Sequence, residues 1–377
     1  MAINTILLVQ LGVAASLIVL ARLCTLVEVG LRRTAGVDGV LAATRTILST
    51  APNNVLDKWT CPQAALEWTP PSDCPESMLA NRTSPSFTAS APPPSHMYVN
   101  DPSFAIAMIG LGELMDNTTI IERSVQSIRR SGLFCGPILI LTDHAESSRY
   151  KALTQADPNV HPIAVESREG KMPIKRYKTE LLDIMDADER FDKITHLLYV
   201  DVDIVFGEPL APFVGYVKGM STLMSQPSRA DQAQSYMLMF EEQGFGPERG
   251  RALEEGNTLF HGGVMVVHRQ RSRDCLAVWQ MLFDDKKRFP RRDQAALYYM
   301  LYDDEELKQR CMVVQMDHRP FLLMPTNHIM QAGDSSVFVH VTNGRRSKRI
   351  DDQLQADYYR CVMLVDEEYA MKSRFTP

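Results

Sequence analysis

Asp201 and Asp203 are the residues of this 377-residue chain whose type and spacing speak most directly of chemistry. They follow the apolar run Leu197 to Val200, which reads as a fully buried strand. In an extended segment residues i and i+2 point to the same side, so this spacing predicts that both carboxylates reach one divalent cation. A hard cation held by two carboxylates keeps coordination positions open, and those suit the oxygens of a diphosphate. Without a cation, carboxylates this close repel each other and one pKa rises. The simpler alternative is a strand that ends in a charged turn. Against it stands the wider frame, Thr195 to Leu210 with Gly207-Glu-Pro-Leu210 at its end, which makes a whole strand–turn unit.

Other elements must position this pair. Phe104 to Leu111 reads as a buried first strand, and Asp116 or Asn117 can cap a helix over Thr118 to Arg130, apolar at Ile120, Ile121, Val125 and Ile128. Gly132 and Gly136 end that helix; Pro137 to Thr142 is a second buried strand finishing at Asp143. A short helix near Ser147 to Thr154, a strand near Val160 to Val165 and a helix from about Pro173 to Ala187 precede the aspartate strand. Strand alternating with helix, with apolar strands throughout, predicts an α/β fold whose mostly parallel central sheet carries helices on both faces. Ligands bind such sheets at the carboxyl ends of the strands. Leu111, Asp143 and Asp201 fall at those ends, which predicts a nucleotide pocket there. Beyond Leu210, the segment Gln226 to Asn257 reads as a polar, Met-rich insertion on the acceptor side with one helix near Gln234 to Glu242. Strands are expected at His261 to His268, Cys311 to Gln315 and Ser336 to Val341, and helices at Arg273 to Phe283, Arg292 to Leu301 and Tyr358 to Met371.

The aspartate segment resembles the Asp-x-Asp site of nucleotide-sugar glycosyltransferases with the GT-A fold, particularly the glycogenin-like family eight. The resemblance continues on both sides. Lys175-Arg-Tyr-Lys-Thr-Glu-Leu-Leu-Asp-Ile-Met185 looks like the helix that carries a lysine near the donor. His261-Gly-Gly-Val-Met-Val-Val-His268 is similar to the acceptor-side strand, and Arg292-Asp-Gln-Ala-Ala-Leu297 to the Asp-Gln helix start. The likeness spans roughly Phe104 to Thr342 in the order of the family. It implies a UDP-sugar donor, a manganese ion or another divalent cation, and transfer with retained anomeric configuration by front-face attack. It assigns the donor pocket to Lys175, Lys178, Gly262 and Gly263, and a role at the donor sugar, as the catalytic pair, to Asp293 and Gln294. Lys175 and Lys178 also lie three apart on one helix side, where a solvated face is the simpler alternative; helix capping is the simpler alternative for Asp293. The family closes with a His-x-x-Gly-x-x-Lys-Pro-Trp tail whose histidine is the third metal ligand. Here His340 stands in that place, but Gly344 comes one residue late and no Pro-Trp follows. A histidine in an apolar strand is otherwise a satisfied core residue.

Two rival classes fit parts of the pattern. Tyr199-Val-Asp-Val-Asp-Ile-Val-Phe-Gly207 also matches the start of haloacid-dehalogenase-type phosphatases, with Asp201 as nucleophile. Those enzymes carry the motif on their first strand, whereas strand–helix alternation from Phe104 onward precedes it here. The other rival is a non-catalytic, membrane-tethered binding protein on a GT-A frame, and the intact Asp201 and Asp203 speak against it.

Apolar residues make up 45% and charged residues 23% of the chain, enough for one sizeable core with appendages, and the net charge of −6 argues against nucleic acid or an anionic membrane surface as a partner. Ile6 to Ala21 is apolar except for Gln10 and Ser16, and Leu23 to Leu31 extends it past Arg22. About 20 apolar residues span a bilayer, so residues 1–31 are expected to be a signal anchor. Arg32 and Arg33 lie on the wrong side for a type II orientation, and Val19-Leu-Ala21 offers a cleavage site as the second choice. Residues 32–100, with Thr69-Pro-Pro71 and Ala89-Ser-Ala-Pro-Pro-Pro-Ser95, read as a stem holding a catalytic domain at 101–377 off the membrane. A single-pass Golgi protein with a lumenal domain acting on a glycan or glycoprotein acceptor is the resulting expectation. The sequons Asn81-Arg-Thr83 and Asn117-Thr-Thr119 fit that compartment. Of seven cysteines, Cys61 and Cys74 can bridge within the stem, while Cys135 and Cys311 read as small core residues; no Cys-x-x-Cys suggests zinc.

Overall fold

The computed structural model describes residues 95–111, 120–168, 171–225, 235–242, 247–285, 287–289, 293–317, 321–323 and 336–340. The expected anchor, the stem up to residue 94, both sequons, the cap at Asp116 or Asn117, the helix near Tyr358 and Cys24, Cys61, Cys74 and Cys361 lie outside the described residues. Among those described, no helix is long and apolar enough to cross a membrane.

The central sheet has seven strands: β1 (Phe104–Ile109), β2 (Ile138–Thr142), β3 (Val160–Ala164), β4 (His196–Val200), β6 (Ser235–Glu241), β7 (Phe260–His268) and β8 (Cys311–Met316), in the order β3-β2-β1-β4-β7-β6-β8. The block β3-β2-β1-β4 is parallel throughout; β7 alone runs antiparallel to both its neighbours, and β8 runs parallel to β6. Strand β1 explains the layering. All six of its residues are buried, with Phe104, Ile106 and Met108 in one apolar layer and Ala105, Ala107 and Ile109 in the other. Against the first layer pack α1 (Ile120–Arg130) through Ile121, Val125 and Ile128, and α4 (Ala211–Met224) through Phe213 and Val217; Tyr150 of α2 (Ser148–Ala156) joins them. Against the second pack α3 (Lys171–Asp186) through Tyr177, Leu181 and Met185, and α6 (Arg273–Asp284) through Leu276 and Trp279. A sheet wetted on neither face needs continuous apolar strands, which is why alternation of strand and helix could be read from the residues.

Strands β1, β2 and β3 step outward on one side, and α3 then carries the chain back so that β4 pairs with the opposite edge of β1. That reversal opens a crevice beyond the carboxyl ends of β1 and β4, beside Leu111 and Asp201.

Three expectations are corrected. The helix expected over Gln234 to Glu242 is the strand β6. Its residues Tyr236, Leu238 and Phe240 enter one layer and Met237 and Met239 the other, so the fully buried run suits an inner strand despite the helix preference of Met and Leu. With α5 (Pro247–Glu255) following, Gln226 to Asn257 contributes to the sheet itself and is not merely a polar insertion. Secondly, Asp201 and Asp203 do not sit on extended backbone: β4 ends at Val200, and a tight turn closed by Ile204 N–H to Asp201 C=O at 3.0 Å carries both aspartates into β5 (Ile204–Phe206). Thirdly, Cys311 is no lone core thiol; it is disulfide-bonded to Cys275 with Cα atoms 4.8 Å apart, joining α6 to β8, and Cys135 is disulfide-bonded too.

A second sheet has the order β5-β10-β9, from β9 (Leu322–Leu323) and β10 (Phe338–His340). The antiparallel register of β10 on β5 sets Phe338 opposite Phe206 and His340 opposite Ile204, next to Asp203.

Below the other face of the first layer, Arg129 of α1 is buried. Its Nε donates to Asp157 Oδ2 at 2.7 Å and its Nη1 to the carbonyls of Phe134 and Gly136, both at 2.7 Å. Removing one member of such a pair leaves a buried charge uncompensated. Arg129→Leu is therefore expected to lower unfolding free energy by about 3–5 kcal/mol, with the Arg129→Leu/Asp157→Leu double variant recovering much of it. Urea titrations of the three proteins check this.

Candidate functional site

Lys178 projects from α3 into the protein beneath the crevice. Only 2% of its side chain is exposed, so its ammonium must find partners inside. Lys178 Nζ donates to the Gly262 carbonyl at 2.7 Å and pairs with Asp201 Oδ1 at 2.9 Å and Asp293 Oδ2 at 3.5 Å. Lys175, three residues earlier on the same helix side, reaches Asp293 Oδ1 at 2.6 Å. The two lysines do share a face, but Lys178 is consumed within the protein; Lys175, 37% exposed, keeps surface for a ligand.

Tyr199 donates its hydroxyl to Asp201 Oδ1 at 2.5 Å. Both contacts of Asp201 thus fall on Oδ1, which leaves Oδ2 for the crevice. Burial would raise the Asp201 pKa, but Lys178 and then the Tyr199 hydroxyl hold it below the ordinary carboxylate value. Asp293 obeys the same balance: burial raises it, and Lys175 and Lys178 outweigh burial and hold it well below the usual range. For Lys178, burial opposes the charge while Asp201 and Asp293 raise its pKa. Burial and the neighbouring Asp201 push Tyr199 well above the ordinary phenol value. Near neutral pH the group is therefore two carboxylates, one ammonium and one intact phenol.

On the other side of the turn, Asp201, Asp203 and His340 each offer one ligand atom, and these atoms lie within 4.8 Å of one another. His340 is buried; its Nε2 is 3.4 Å from Asp203 Oδ1 and makes no well-formed hydrogen bond. Its other nitrogen, Nδ1, lies 2.7 Å from His261 Nε2. Burial lowers the His340 pKa, yet Asp203 more than offsets that and the net shift is upward; burial and the facing His340 push His261 down to about 3. Two carboxylates and one imidazole with an unclaimed buried nitrogen fit a divalent transition ion such as manganese better than calcium, which takes oxygen ligands.

Gly262 and Gly263 of β7 lie directly under this group. A Cβ on Gly262 would stand 3.2 Å from Asp293 Oδ2; one on Gly263 would stand 2.7 Å from His261 Cε1 and 2.9 Å from Asp201 Oδ2. A side chain on Gly263 would force His261 or Asp201 to move, and one on Gly262 would press on Asp293. Asp293 begins α7 (Asp293–Tyr298), but its carboxylate bridges both lysines, so it does more than cap. Gln294 Nε2 donates to Glu242 Oε2 at 2.6 Å. Leu111 and Asp143 follow β1 and β2 at the same edge of the sheet, and Asp143 Oδ1 is buried without a hydrogen-bond partner among the described residues. No contact among the described residues joins Leu111 or Asp143 to the acidic cluster.

Sequence reasoning missed Tyr199, His261 and Glu242. Tyr199 stands two residues before Asp201 in a strand, a spacing that could have been read as same-side. His261 opens the His-Gly-Gly step, and Glu242 carries no signal of its own.

No protein-family model matches the chain, and no curated protein matches its sequence. Solved structures similar to it include the galactosyltransferase LgtC in complex with donor and acceptor sugar analogues, at 12% identity over 72% of this chain and 97% of that one, with a TM-score of 0.42. Mouse xyloside xylosyltransferase 1 in its apo form is similar at 10% identity over 65% of this chain and 99% of that one, with a TM-score of 0.42. The apo form of the glycosyltransferase GlyE of Streptococcus pneumoniae TIGR4 is similar at 13% identity over 72% and 63%, with a TM-score of 0.41.

The buried lysine yields a stability prediction. Lys178→Met strips Asp201 and Asp293 of their shared cation and is expected to cost about 3–5 kcal/mol, with Lys175→Met costing less because water screens that half-exposed pair. Thermal melts of both variants check the ranking, and equal losses would contradict it.

Proposed function

We propose that the chain is a divalent-metal-dependent glycosyltransferase that moves a sugar from a nucleotide-diphosphate donor, UDP by expectation, to an acceptor hydroxyl. The observation that carries this reading is the convergence of Asp201, Asp203 and His340 at the carboxyl edge of the parallel strands. In the transfer, the bond from the anomeric carbon to the diphosphate breaks and its electron pair leaves on phosphate oxygen. A bond from the acceptor oxygen to the anomeric carbon forms, and the acceptor proton passes to the departing diphosphate oxygen. The difficulty is the charge that gathers on the leaving diphosphate. A cation held by Asp201, Asp203 and His340 supplies Lewis-acid neutralisation of that charge.

The remaining residues take roles consistent with their surroundings. Lys175 meets phosphate oxygen with the part of its surface that Asp293 leaves open. Leu111 and the unpartnered oxygen of Asp143 belong to the nucleoside side of the crevice. Gly262 and Gly263 belong to the donor pocket by letting Asp293 and Asp201 stand close over the backbone. Asp293 and Gln294 address the sugar, and Glu242 fixes the Gln294 amide from behind. Retention of anomeric configuration follows from the family resemblance. For a phosphatase, Asp201 would need to end the first strand of the fold, whereas it follows the fourth.

The address proposed is the Golgi lumen, with residues 1–31 as anchor, 32–100 as stem and 101–377 as catalytic domain. The Cys275–Cys311 disulfide is in keeping with an oxidising compartment.

Three experiments test these statements. Asp203→Ala is expected to abolish manganese-dependent UDP binding in calorimetry while leaving the metal-free melting temperature near that of the parent; undiminished UDP affinity would sink the metal reading. A screen of nucleotide-sugar hydrolysis with and without manganese then names the donor. For the address, the domain in intact microsomes is expected to resist protease until detergent is added, and to shift in mass on glycosidase treatment. Digestion without detergent would place it on the cytosolic side.

A further inference from the structure

His261 has no part in the reading above, yet it faces the one imidazole that does. We propose that His261 is a positioning residue: it accepts a hydrogen bond from His340 Nδ1–H and so leaves the His340 Nε2 lone pair turned toward Asp201 and Asp203. The proposal rests on the metal reading of that cluster.

The geometry requires a choice of proton. A ring-to-ring contact of 2.7 Å between His261 Nε2 and His340 Nδ1 holds one hydrogen between two nitrogens. If His261 donates it, a neutral His340 carries its own hydrogen on Nε2, and that nitrogen cannot ligate. If His340 donates it, Nε2 is bare and faces the two carboxylates, where a cation would sit. The Nε2 atom is buried, makes no well-formed hydrogen bond and lies 3.4 Å from Asp203 Oδ1. His261 Nδ1 is likewise buried with no hydrogen-bond partner among the described residues. A metal-bound histidine is generally oriented through the hydrogen bond of its other nitrogen.

The mounting of the two rings supports the same division of labour. His340 sits at the end of β10, a strand of three residues on the small sheet. His261 sits on β7, an inner strand of the central sheet, and is 1% exposed. Their ring planes cross at 73° with centroids 4.6 Å apart. A Cβ on Gly263 would meet both His261 Cε1, at 2.7 Å, and Asp201 Oδ2, at 2.9 Å, so the His261 ring lies over the backbone beside Asp201. The inner strand of the large sheet thus gives the histidine of the three-residue strand β10 a second point of attachment.

The test uses the full chain and manganese alone as probe. Leucine at 261 keeps apolar bulk and can neither donate nor accept, whereas glutamine can still accept through Oε1. His261→Leu is expected to weaken manganese binding about 10–100-fold in calorimetry, as loss of an outer hydrogen bond to a ligand does, and His261→Gln to restore it. A parallel measurement needs no variant: with zinc as a diamagnetic probe, nitrogen-15 spectra of histidine-labelled parent protein are expected to show His340 protonated at Nδ1. A merely structural His261 would lower the metal-free melting temperature in both variants and leave manganese affinity unchanged, and that overturns the proposal. So does an Nε2-protonated His340 at saturating zinc, which decides the matter even if His261→Leu fails to fold. If the parent protein binds no manganese, the metal reading falls and this inference with it. If the parent binds, Asp203→Ala does not, and His261→Leu binds like the parent, the positioning role alone is wrong.

Discussion

A buried ammonium organises this molecule. Lys178 has too little contact with water to be tolerated without compensation, and each of its partners comes from a different element. Asp201 follows β4, Gly262 lies on β7, Asp293 opens α7, and the lysine itself rides on α3. Satisfying one charge therefore fixes the relative placement of a helix on one face, two neighbouring strands and the start of another helix. The same arrangement fixes protonation. With Lys178 on Asp201 and Asp293, neither carboxylate takes up a proton at neutral pH, although burial alone would favour it. Charge neutralisation inside the protein and charge presentation to the crevice are two ends of one network.

Topology decides where that network opens to a ligand. The chain lays β1, β2 and β3 outward and then returns to place β4 on the far side of β1, so the backbones diverge beyond the carboxyl ends of β1 and β4. The antiparallel β7 then lies against β4 and brings a glycine pair under Asp201 and Asp293. Side chains at those two positions would collide with the groups they are meant to admit. Polar residues gather at this edge because strands buried on both faces leave few other places for them.

Much of this was legible in the residues, and the rest was not for identifiable reasons. Apolar runs such as Phe104 to Ile109 and Ile138 to Thr142 announce inner strands because both faces need apolar side chains. The run Ser235 to Glu241 obeyed the same rule but was disguised by methionine and leucine, which also favour helices, and by polar flanks. Asp201 and Asp203 were found from their spacing, yet the mechanism of their convergence was misjudged, since a turn and not strand alternation carries them. The role of His340 could be suspected only from resemblance, because its approach to Asp203 depends on the pairing of β10 with β5. Tyr199, His261 and Glu242 gain their meaning from partners distant in sequence or from a strand face that a single chain does not reveal. Cys275 and Cys311 belong to the same class: two thiols become a bridge only once α6 and β8 have met.

The three-residue strand β10 carries a temporal consequence. Everything through β8 can form the seven-stranded sheet, including Lys178, Asp201 and Asp293, before Phe338 to His340 is available to pair with β5. The residues of the acidic turn thus precede their imidazole by more than 130 positions in the chain, so the turn can form before His340 is synthesised. A growing or truncated chain would own the frame of the site but only two of its three ligand atoms. Assembly of the Asp201, Asp203 and His340 cluster in this sense waits on the last described strand.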